Sequence, residues 1–185
     1  IIKKYLNLIK ISFFRHHTRN LAQALNFGIT KCKGEFIARM DSDDLMRKFR
    51  IEKQVKFLLK NREYLFVGTN AFRFKKNTIF SKPFNVFFNN TNLKLNLFFQ
   101  SSFIHPTIMF RKNSILSKNL YDNSMNECED YDLWIRLMNI SKFKNLSYFG
   151  IFYRVHNNSA SLKKREKLDN FFLILNISLL KKYNI

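Results

Sequence analysis

The chain has 185 residues, of which 33 are Lys or Arg and 13 are Asp or Glu, giving a formal net charge of +20. A hydrophobic fraction of 46% with 22 Phe excludes a disordered chain, and 4 Gly and 2 Pro argue against a turn-rich all-β fold. No stretch reaches the ~18 apolar residues of a membrane span. Cys32 and Cys128 lack metal-type spacing, so we interpret them as free thiols in a reducing compartment.

Strand and helix patterns alternate through the first half of the chain. We predict a strand at 8–14, a helix at 20–33, a strand at 35–40, a helix at 50–59 and a strand at 64–69 that can extend to 74. Asn20 is a suitable N-cap for the first helix, and Gly34 suits its C′ position. The strand at 35–40 is almost continuously apolar, as in a buried parallel strand. The alternation predicts an α/β fold with a largely parallel sheet flanked by helices.

The second half of the chain is less regular. We predict a helix at 92–99, a short strand at 107–111, a helix at 129–138, a strand pair or one bent strand at 145–155, and a long helix at 162–183. The helix predicted at 50–59 is expected to bury Ile51, Val55, Leu58 and Leu59. No internal repeat or linker divides the chain, so we expect one domain over 1–185.

An acidic run directly after the predicted strand at 35–40 is the strongest functional signal. Residues 39–44 contain Asp41, Asp43 and Asp44, and three carboxylates so close together repel one another unless a cation lies between them. In an extended chain Asp41 and Asp43 point the same way. Paired carboxylates at the carboxyl end of a strand suit a divalent ion that also holds a phosphate-bearing substrate. The alternative interpretation is a solvated acidic turn that caps the next helix.

The helix predicted at 129–138 carries a second signal. One acidic residue shares a face with three apolar ones, at i, i+3, i+4 and i+7: Asp130, Leu133, Trp134 and Leu137. Glu129 lies on the polar face with Asp132 and Arg136. The helix dipole explains Glu129 in the first turn, whereas an inward Asp130 is well placed as a general base facing a cleft.

Two histidines complete the set of candidate residues. His105 begins the sequence His105-Pro106-Thr107, and His156 ends an apolar strand just before a polar segment. A histidine alone is more often structural than functional, but His156 is positioned to reach a cleft at a strand end.

Together these motifs resemble the core of glycosyltransferase family 2 enzymes with the GT-A fold. The resemblance rests on the segments 20–29, 34–44, 105–107, 129–137, 153–156 and 159–161, with Arg50, Gln54 and Val67-Gly68 between them. The series keeps the family's order and spacing from Asn20 to Ser161, which makes it far more specific than any single motif.

The resemblance implies inverting transfer of a sugar from a nucleotide-diphosphate sugar to an acceptor hydroxyl. Asp41 and Asp43 match the D-x-D pair that holds Mg²⁺ or Mn²⁺ and, through the ion, the nucleotide diphosphate. Asp130 matches the family's catalytic base, and His156 matches a further metal or diphosphate ligand of some GT-A enzymes. The residues implied to bind the donor are Asn20, Asn26, Arg39, Asp41 and Glu129.

The expected partners follow from the same resemblance and from the charge. The acceptor is expected to be a glycan or lipid-linked glycan of the cell surface, made in the cytoplasm. The positive charge fits attraction to nucleotide-sugar phosphates or peripheral contact with an anionic membrane, although AT-rich coding explains part of the Lys and Asn content. Nucleic acid is not an expected partner, because no clustered basic helix, zinc pattern or aromatic RNA-binding motif is present.

Two departures from the family pattern affect these expectations. Lys48 stands where the family usually has Pro, a change that a helix start tolerates. The family's opening strand and most of its first helix have no counterpart, and the chain begins without Met, so we expect an N-terminally incomplete domain whose first strand is missing. The alternatives are a non-catalytic truncated remnant and a basic nucleic-acid-binding module.

Overall fold

The computed structural model describes residues 11–75, 78–80, 90–116, 120–125 and 128–156, with the backbone alone at 79, 80 and 90. The helix predicted at 162–183 and the 159–161 motif lie outside the described residues. Among the described helices none has the length and apolar character needed to cross a membrane.

Five helices and six strands make up the described chain. The helices are α1 (Leu21–Lys31), α2 (Arg50–Lys60), α3 (Asn90–Asn96), α4 (Lys112–Leu116) and α5 (Glu129–Leu137), with a 3₁₀ turn at His105–Thr107. The strands are β1 (Phe36–Ala38), β2 (Leu45–Met46), β3 (Tyr64–Lys75), β4 (Thr78–Phe80), β5 (Met109–Arg111) and β6 (Lys142–Arg154). The predicted elements within these ranges are confirmed with shifted ends, except that residues 11–14 form no strand.

The strands form one mixed sheet in the order β1-β5-β3-β6-β2, with β4 paired to the end of β3. Only β3 and β6 run parallel, with Tyr64 opposite Lys142 at one end and Phe74 opposite Arg154 at the other. The remaining pairs in the described sheet are antiparallel. The α/β class is therefore confirmed, while the largely parallel sheet is wrong for these strands, because an apolar run indicates burial but not the direction of the neighbouring strand.

The two faces of the sheet carry different layers, because successive residues of β3 point to opposite sides. Phe66 points towards the main core, where its ring lies 4.7 to 5.6 Å from those of four other buried aromatic residues: Phe103, Phe110, Trp134 and Phe143. Helices α1, α3 and α5 cover this face. Val67 points to the other side, where it packs with Leu58 of α2. The sheet therefore lies between helices on both faces.

Helix α1 begins as predicted and ends earlier than predicted. The Asn20 side chain accepts a hydrogen bond from the Gln23 N–H, as an N-cap does. Cys32 is the C-cap, and its N–H bonds back to the carbonyls of Gly28 and Ile29. The C′ prediction for Gly34 is therefore wrong, and its φ is not positive.

Candidate active site

The ends of three strands bring the acidic loop, the 3₁₀ turn and the end of β6 together. Ala38, the last residue of β1, pairs with Met109, the first residue of β5, so residue 39 lies beside the turn that precedes β5. Leu45 of β2 pairs with Phe152 of β6. Because these pairs are antiparallel, the loop at 41–44 lies between the 3₁₀ turn and the last residues of β6.

Two hydrogen bonds fix the acidic loop to β6. Oδ1 of the buried Asp44 accepts a bond of 2.8 Å from the Arg154 N–H, and Arg154 Nε donates to the Asp43 carbonyl at 2.7 Å. The side chains of Asp41 and Asp43 remain 38% and 44% exposed. With Asp44 held inside, the loop thus presents two carboxylates to solvent.

Arg39 and Asp41, both predicted to bind the donor, contact each other. Arg39 Nη2 lies 2.6 Å from Asp41 Oδ1, and Nη1 donates to Oδ2 at 2.8 Å. This two-pronged pair holds the guanidinium in a site where it is only 9% exposed. Each carboxylate oxygen of Asp41 keeps a second lone pair for a further ligand.

Asp43 and His156, two of the predicted metal ligands, lie side by side. His156 Nε2 is 3.4 Å from Asp43 Oδ2, and both side chains are nearly half exposed. Carboxylates suit Mg²⁺ and Mn²⁺, and imidazole is a common metal ligand. Asp44 Oδ2 is buried and has no hydrogen-bond partner among the described residues, so a cation beside this loop would help to stabilise the buried carboxylate. The donor set therefore fits the implied ion.

The surroundings of Asp44 favour its protonated form. Burial raises the pKa of Asp44 to about 6, the Arg154 N–H bond opposes the shift, and repulsion from Asp41 and Asp43 adds to it. The Asp44 carboxyl therefore ionises less readily than an ordinary aspartate.

Asp130 lies in the first turn of α5, with one oxygen bonded and the other facing His105. Oδ1 accepts a bond of 2.8 Å from the Tyr131 N–H, and Oδ2 is 3.8 Å from His105 Nδ1. Burial raises the pKa of Asp130 to about 6, and repulsion from Glu129 adds to the shift, whereas the Tyr131 N–H and Arg39 oppose it. Its side chain is still 24% exposed, so a substrate hydroxyl can approach it.

The predicted polar face of α5 is wrong. Glu129 is 4% and Asp132 is 7% exposed, so both are more buried than Asp130. Arg136 binds Asp132 at 2.7 Å and donates to the Leu120 carbonyl at 3.0 Å, which shows that the chain at Leu120 lies against this face. Helix periodicity places residues on faces but cannot show that a distant segment packs against the polar one.

His105, Glu129 and Asp130 offer ligand-type atoms within 4.8 Å of one another. We interpret them as a cluster held by protein contacts rather than a metal site, because both ring nitrogens of His105 face protein partners, Nε2 the Tyr121 hydroxyl and Nδ1 the Asp130 carboxylate. His105 Nε2 lies 2.8 Å from the Tyr121 hydroxyl. Burial, together with Arg39, lowers the pKa of His105 well below its ordinary value, so its ring is neutral.

The two predicted donor-binding asparagines bond to a neighbouring segment of the chain. Asn20 Nδ2 donates to the Asn123 carbonyl at 2.8 Å. Asn26 Nδ2 donates to the Tyr121 carbonyl at 2.8 Å, and Asn26 Oδ1 accepts from the Tyr121 N–H at 3.0 Å. Both amides therefore attach α1 to residues 121–123, at the margin of the site.

Sequence reasoning missed Tyr121. It is 3% exposed and contacts His105, yet it stands in a polar segment without helical or strand periodicity. No local pattern marks such a residue, because its partners Asn26 and His105 are 95 and 16 positions away in the sequence.

The fold is that of the GT-A glycosyltransferases. The structure superposes on a crystal structure of S. aureus TarS with a TM-score of 0.65, covering 83% of this chain and 46% of that chain at 15% sequence identity. At this identity the likeness concerns the fold alone. Helices on both faces of a mixed sheet, with an acidic loop at the strand ends, agree with it.

The chain belongs to glycosyltransferase family 2, because the family model described as Glycosyl transferase family 2 matches residues 1–120. It is 38% identical over 163 residues to "O-antigen biosynthesis glycosyltransferase WbnJ" of Escherichia coli, covering 86% of this chain and 63% of WbnJ. It is 32% identical over 139 residues to the E. coli "UDP-Gal:alpha-D-GlcNAc-diphosphoundecaprenol beta-1,3-galactosyltransferase", covering 72% of this chain and 48% of that enzyme. The chain thus spans about 63% of the length of WbnJ and less of the galactosyltransferase.

Proposed function

We propose that the protein transfers a sugar, with inversion at the anomeric carbon, from a nucleotide-diphosphate sugar to an acceptor hydroxyl. The observation that carries the proposal is the convergence of two acidic sites on Arg39. Its guanidinium binds Asp41 of the acidic loop, and its backbone N–H donates to the Ile108 carbonyl beside the 3₁₀ turn, whose His105 faces Asp130 at the start of α5 at 3.8 Å. A donor diphosphate at the loop and an acceptor at Asp130 would then meet between the two.

In this proposal Asp41, Asp43 and His156 hold Mg²⁺ or Mn²⁺ against the donor diphosphate. When bound, the ion supplies neutralisation of the charge that builds on the departing diphosphate. Arg39 contacts the donor, whereas the buried Glu129 acts on Asp130 by raising its pKa rather than by reaching the donor. The Arg154 bonds keep the loop in place before the donor arrives. Asn20 and Asn26 support the site through the segment at 121–123.

Asp130 takes the acceptor proton as the acceptor oxygen attacks the anomeric carbon and the bond from that carbon to the diphosphate oxygen breaks. A single displacement of this kind inverts the anomeric configuration. A base is most effective when its pKa lies near the working pH, and the pKa of Asp130 at about 6 leaves the carboxylate ionised at pH 7.

The acceptor and location are proposed from the relatives and the charge. The printed names of the relatives include O-antigen biosynthesis and a diphosphoundecaprenol acceptor, so we propose a glycan or lipid-linked glycan acceptor in cell-surface polysaccharide synthesis. Cys32 and Cys128 are not joined in a disulfide, which fits a cytoplasmic site of action. The net charge of +20 supports peripheral contact with an anionic membrane.

Two variants of the purified protein test this proposal. Asp43→Ala should abolish Mn²⁺-dependent binding of nucleoside diphosphates in calorimetry, because it removes a ligand of the ion. Asp130→Asn should keep that binding and lower transfer by roughly 10²–10⁴-fold, the usual contribution of a general base. Glu52→Gln, an exposed acid on α2, is the matched control.

The reaction product provides the second readout. NMR of the glycosidic product should show the anomeric configuration opposite to that of the donor. Near-normal turnover of Asp130→Asn with donor and acceptor saturating would show that Asp130 is not the base, and retained configuration would exclude the single displacement.

A further inference from the structure

We propose that Tyr121 and His105 form a positioning chain behind Asp130, in which the Tyr121 hydroxyl donates to His105 Nε2 and His105 Nδ1–H faces Asp130 Oδ2. Neither residue contacts the reacting atoms, so both act through Asp130. The inference rests on the proposed role of Asp130 as the base and specifies what holds that base in position.

The distances support this order of contacts. The Tyr121 hydroxyl lies 2.8 Å from His105 Nε2, a normal hydrogen bond. His105 Nδ1 lies 3.8 Å from Asp130 Oδ2, which is longer than a hydrogen bond. Catalytic contacts are often long without substrate and tighten in the complex, and a shift of the Asp130 side chain by about 1 Å would close this one.

The protonation states set the direction of the chain. His105 is neutral because burial lowers its pKa, so only one ring nitrogen carries a proton. A neighbouring carboxylate favours that proton on Nδ1, which leaves Nε2 as an acceptor. Burial also raises the pKa of Tyr121, so its hydroxyl keeps its proton and donates to Nε2.

The far end of the chain is anchored by α1. Asn26 Oδ1 accepts a hydrogen bond from the Tyr121 N–H at 3.0 Å, and Asn26 Nδ2 donates to the Tyr121 carbonyl at 2.8 Å. One side chain therefore clamps both backbone groups of Tyr121. The Tyr121 ring, 3% exposed, lies 5.4 Å from the His105 ring. The clamp therefore fixes Tyr121, which in turn fixes the orientation of the His105 ring.

The chain adds to the other groups that act on Asp130. Glu129 on the same helix repels its carboxylate, whereas Arg39 from the β1 end and the Tyr131 N–H stabilise it. An Nδ1–H from His105 joins the stabilising side without adding a net charge. Removing it should raise the pKa of Asp130 and move the acid limb of the activity profile to higher pH, because a hydrogen bond to the charged form is lost.

The test compares three variants in the pH dependence of kcat between pH 5 and 9. Tyr121→Phe should lower kcat about 3- to 10-fold and move the acid limb upward by about half a pH unit. His105→Leu should lower kcat about 10- to 100-fold with a shift of about one unit. His105→Asn, which keeps an N–H near the Nδ1 position, should restore much of the loss. Calorimetric affinity for Mn²⁺ and nucleoside diphosphate should be unchanged in all three.

Tyr131→Phe is the matched control, because Tyr131 is another buried tyrosine of the same region whose hydroxyl donates to the Leu97 carbonyl. It should leave the acid limb in place. Tyr121→Phe keeps the ring and the Asn26 clamp, so the test does not depend on whether His105→Leu folds.

The outcomes separate this inference from the proposed function. An acid limb that stays in place in Tyr121→Phe, with Asp130→Asn inactive, overturns the positioning chain alone. Near-normal turnover of Asp130→Asn overturns the role of Asp130, and the positioning chain with it.

Discussion

Asp44 illustrates how single residues of the acidic loop differ in role although they are alike in sequence. Asp41 and Asp43 are exposed, whereas Asp44 is buried with one oxygen on the Arg154 N–H and the other without a partner among the described residues. Burial lowers the pKa of Arg50 to about 10, and the negative charge of Asp44 opposes this shift. Arg50 and Asp44 therefore stabilise each other's charged form. Asp44 therefore fixes the loop, and the proposed ligand binding falls to its neighbours.

Asp44 predicts a pH dependence of stability. A carboxyl whose pKa is raised on folding stabilises the folded state most strongly below its unfolded pKa of 3.8. This stabilisation is lost as the pH rises through about 6. The part of the melting temperature that depends on Asp44, measured with a chelator present, should therefore fall between about pH 4 and 6. Asp44→Asn should flatten this dependence, by an amount corresponding to about 1–3 kcal/mol.

Glu63→Gln, at an exposed acid, is the control and should melt with the same pH dependence as the unmodified protein. Parallel curves for Asp44→Asn and the unmodified protein would show that the Asp44 proton is not linked to folding.

Helix α2 shows how one element joins several parts of the site. Gln54 Nε2 donates to the carbonyls of Val67 in β3 and Thr107 in the 3₁₀ turn, at 2.9 and 2.8 Å. Gln54 Oε1 accepts from Arg50 Nε at 3.0 Å, and Arg50 Nη2 donates to the Arg39 carbonyl at 2.8 Å. The first half of the buried face of α2 is thus polar, and it holds the central strand, the turn with His105 and the start of the acidic loop in one network.

Gln54→Leu tests this network. Leucine has a similar length but leaves two carbonyls and the Arg50 Nε without their partner in a buried place, so the free energy of unfolding should fall by about 2–4 kcal/mol. Chemical denaturation measures the change. Leu59→Ala, at a position 56% exposed on the same helix, should change it by less than about 0.5 kcal/mol. Equal losses in the two variants would mean that the network adds little.

At the scale of the whole molecule, the net charge of +20 is the dominant feature. A charge of this size attracts any polyanion at low salt, and the attraction is screened as the Debye length falls to about 8 Å at 0.15 M salt. Three cations, Arg47, Lys48 and Lys53, lie against aromatic rings near the exposed Leu45, Met46 and Phe49. Cations among aromatic and apolar side chains suit the surface of an anionic bilayer.

We expect the protein to co-sediment with phosphatidylglycerol vesicles and not with phosphatidylcholine vesicles, and to retain part of this binding at 0.15 M salt because apolar contact is not screened. Duplex DNA at the same salt concentrations is the comparison. Binding to both polyanions with identical salt dependence would show non-specific charge attraction, and tighter binding to DNA would favour a nucleic-acid partner.

Local sequence determined much of the secondary structure. Helix α1 was predicted from its Asn20 cap, and α2 and α5 from the periodicity of 50–59 and 129–138. Strand β3 was predicted from the strand pattern at 64–69, which can extend to 74. These predictions succeed because hydrogen bonds within a helix and burial along a strand depend on near neighbours. The order and spacing of the motifs likewise indicated family 2 and the GT-A fold, which the comparisons confirm. The roles assigned to Asp41, Asp43, Asp130 and His156 stay predictions.

Only the tertiary structure decided which surfaces meet. The pattern at 50–59 predicted burial of Ile51 and Leu59, but these are 38% and 56% exposed, while Gln54 is fully buried because it finds partners in two distant segments. The burial of Glu129 and the antiparallel pairing of β1 with β5 also depend on segments that are distant in the sequence. No local sequence pattern predicts the contact between Tyr121 and His105, because tertiary packing and not local propensity brings these residues together.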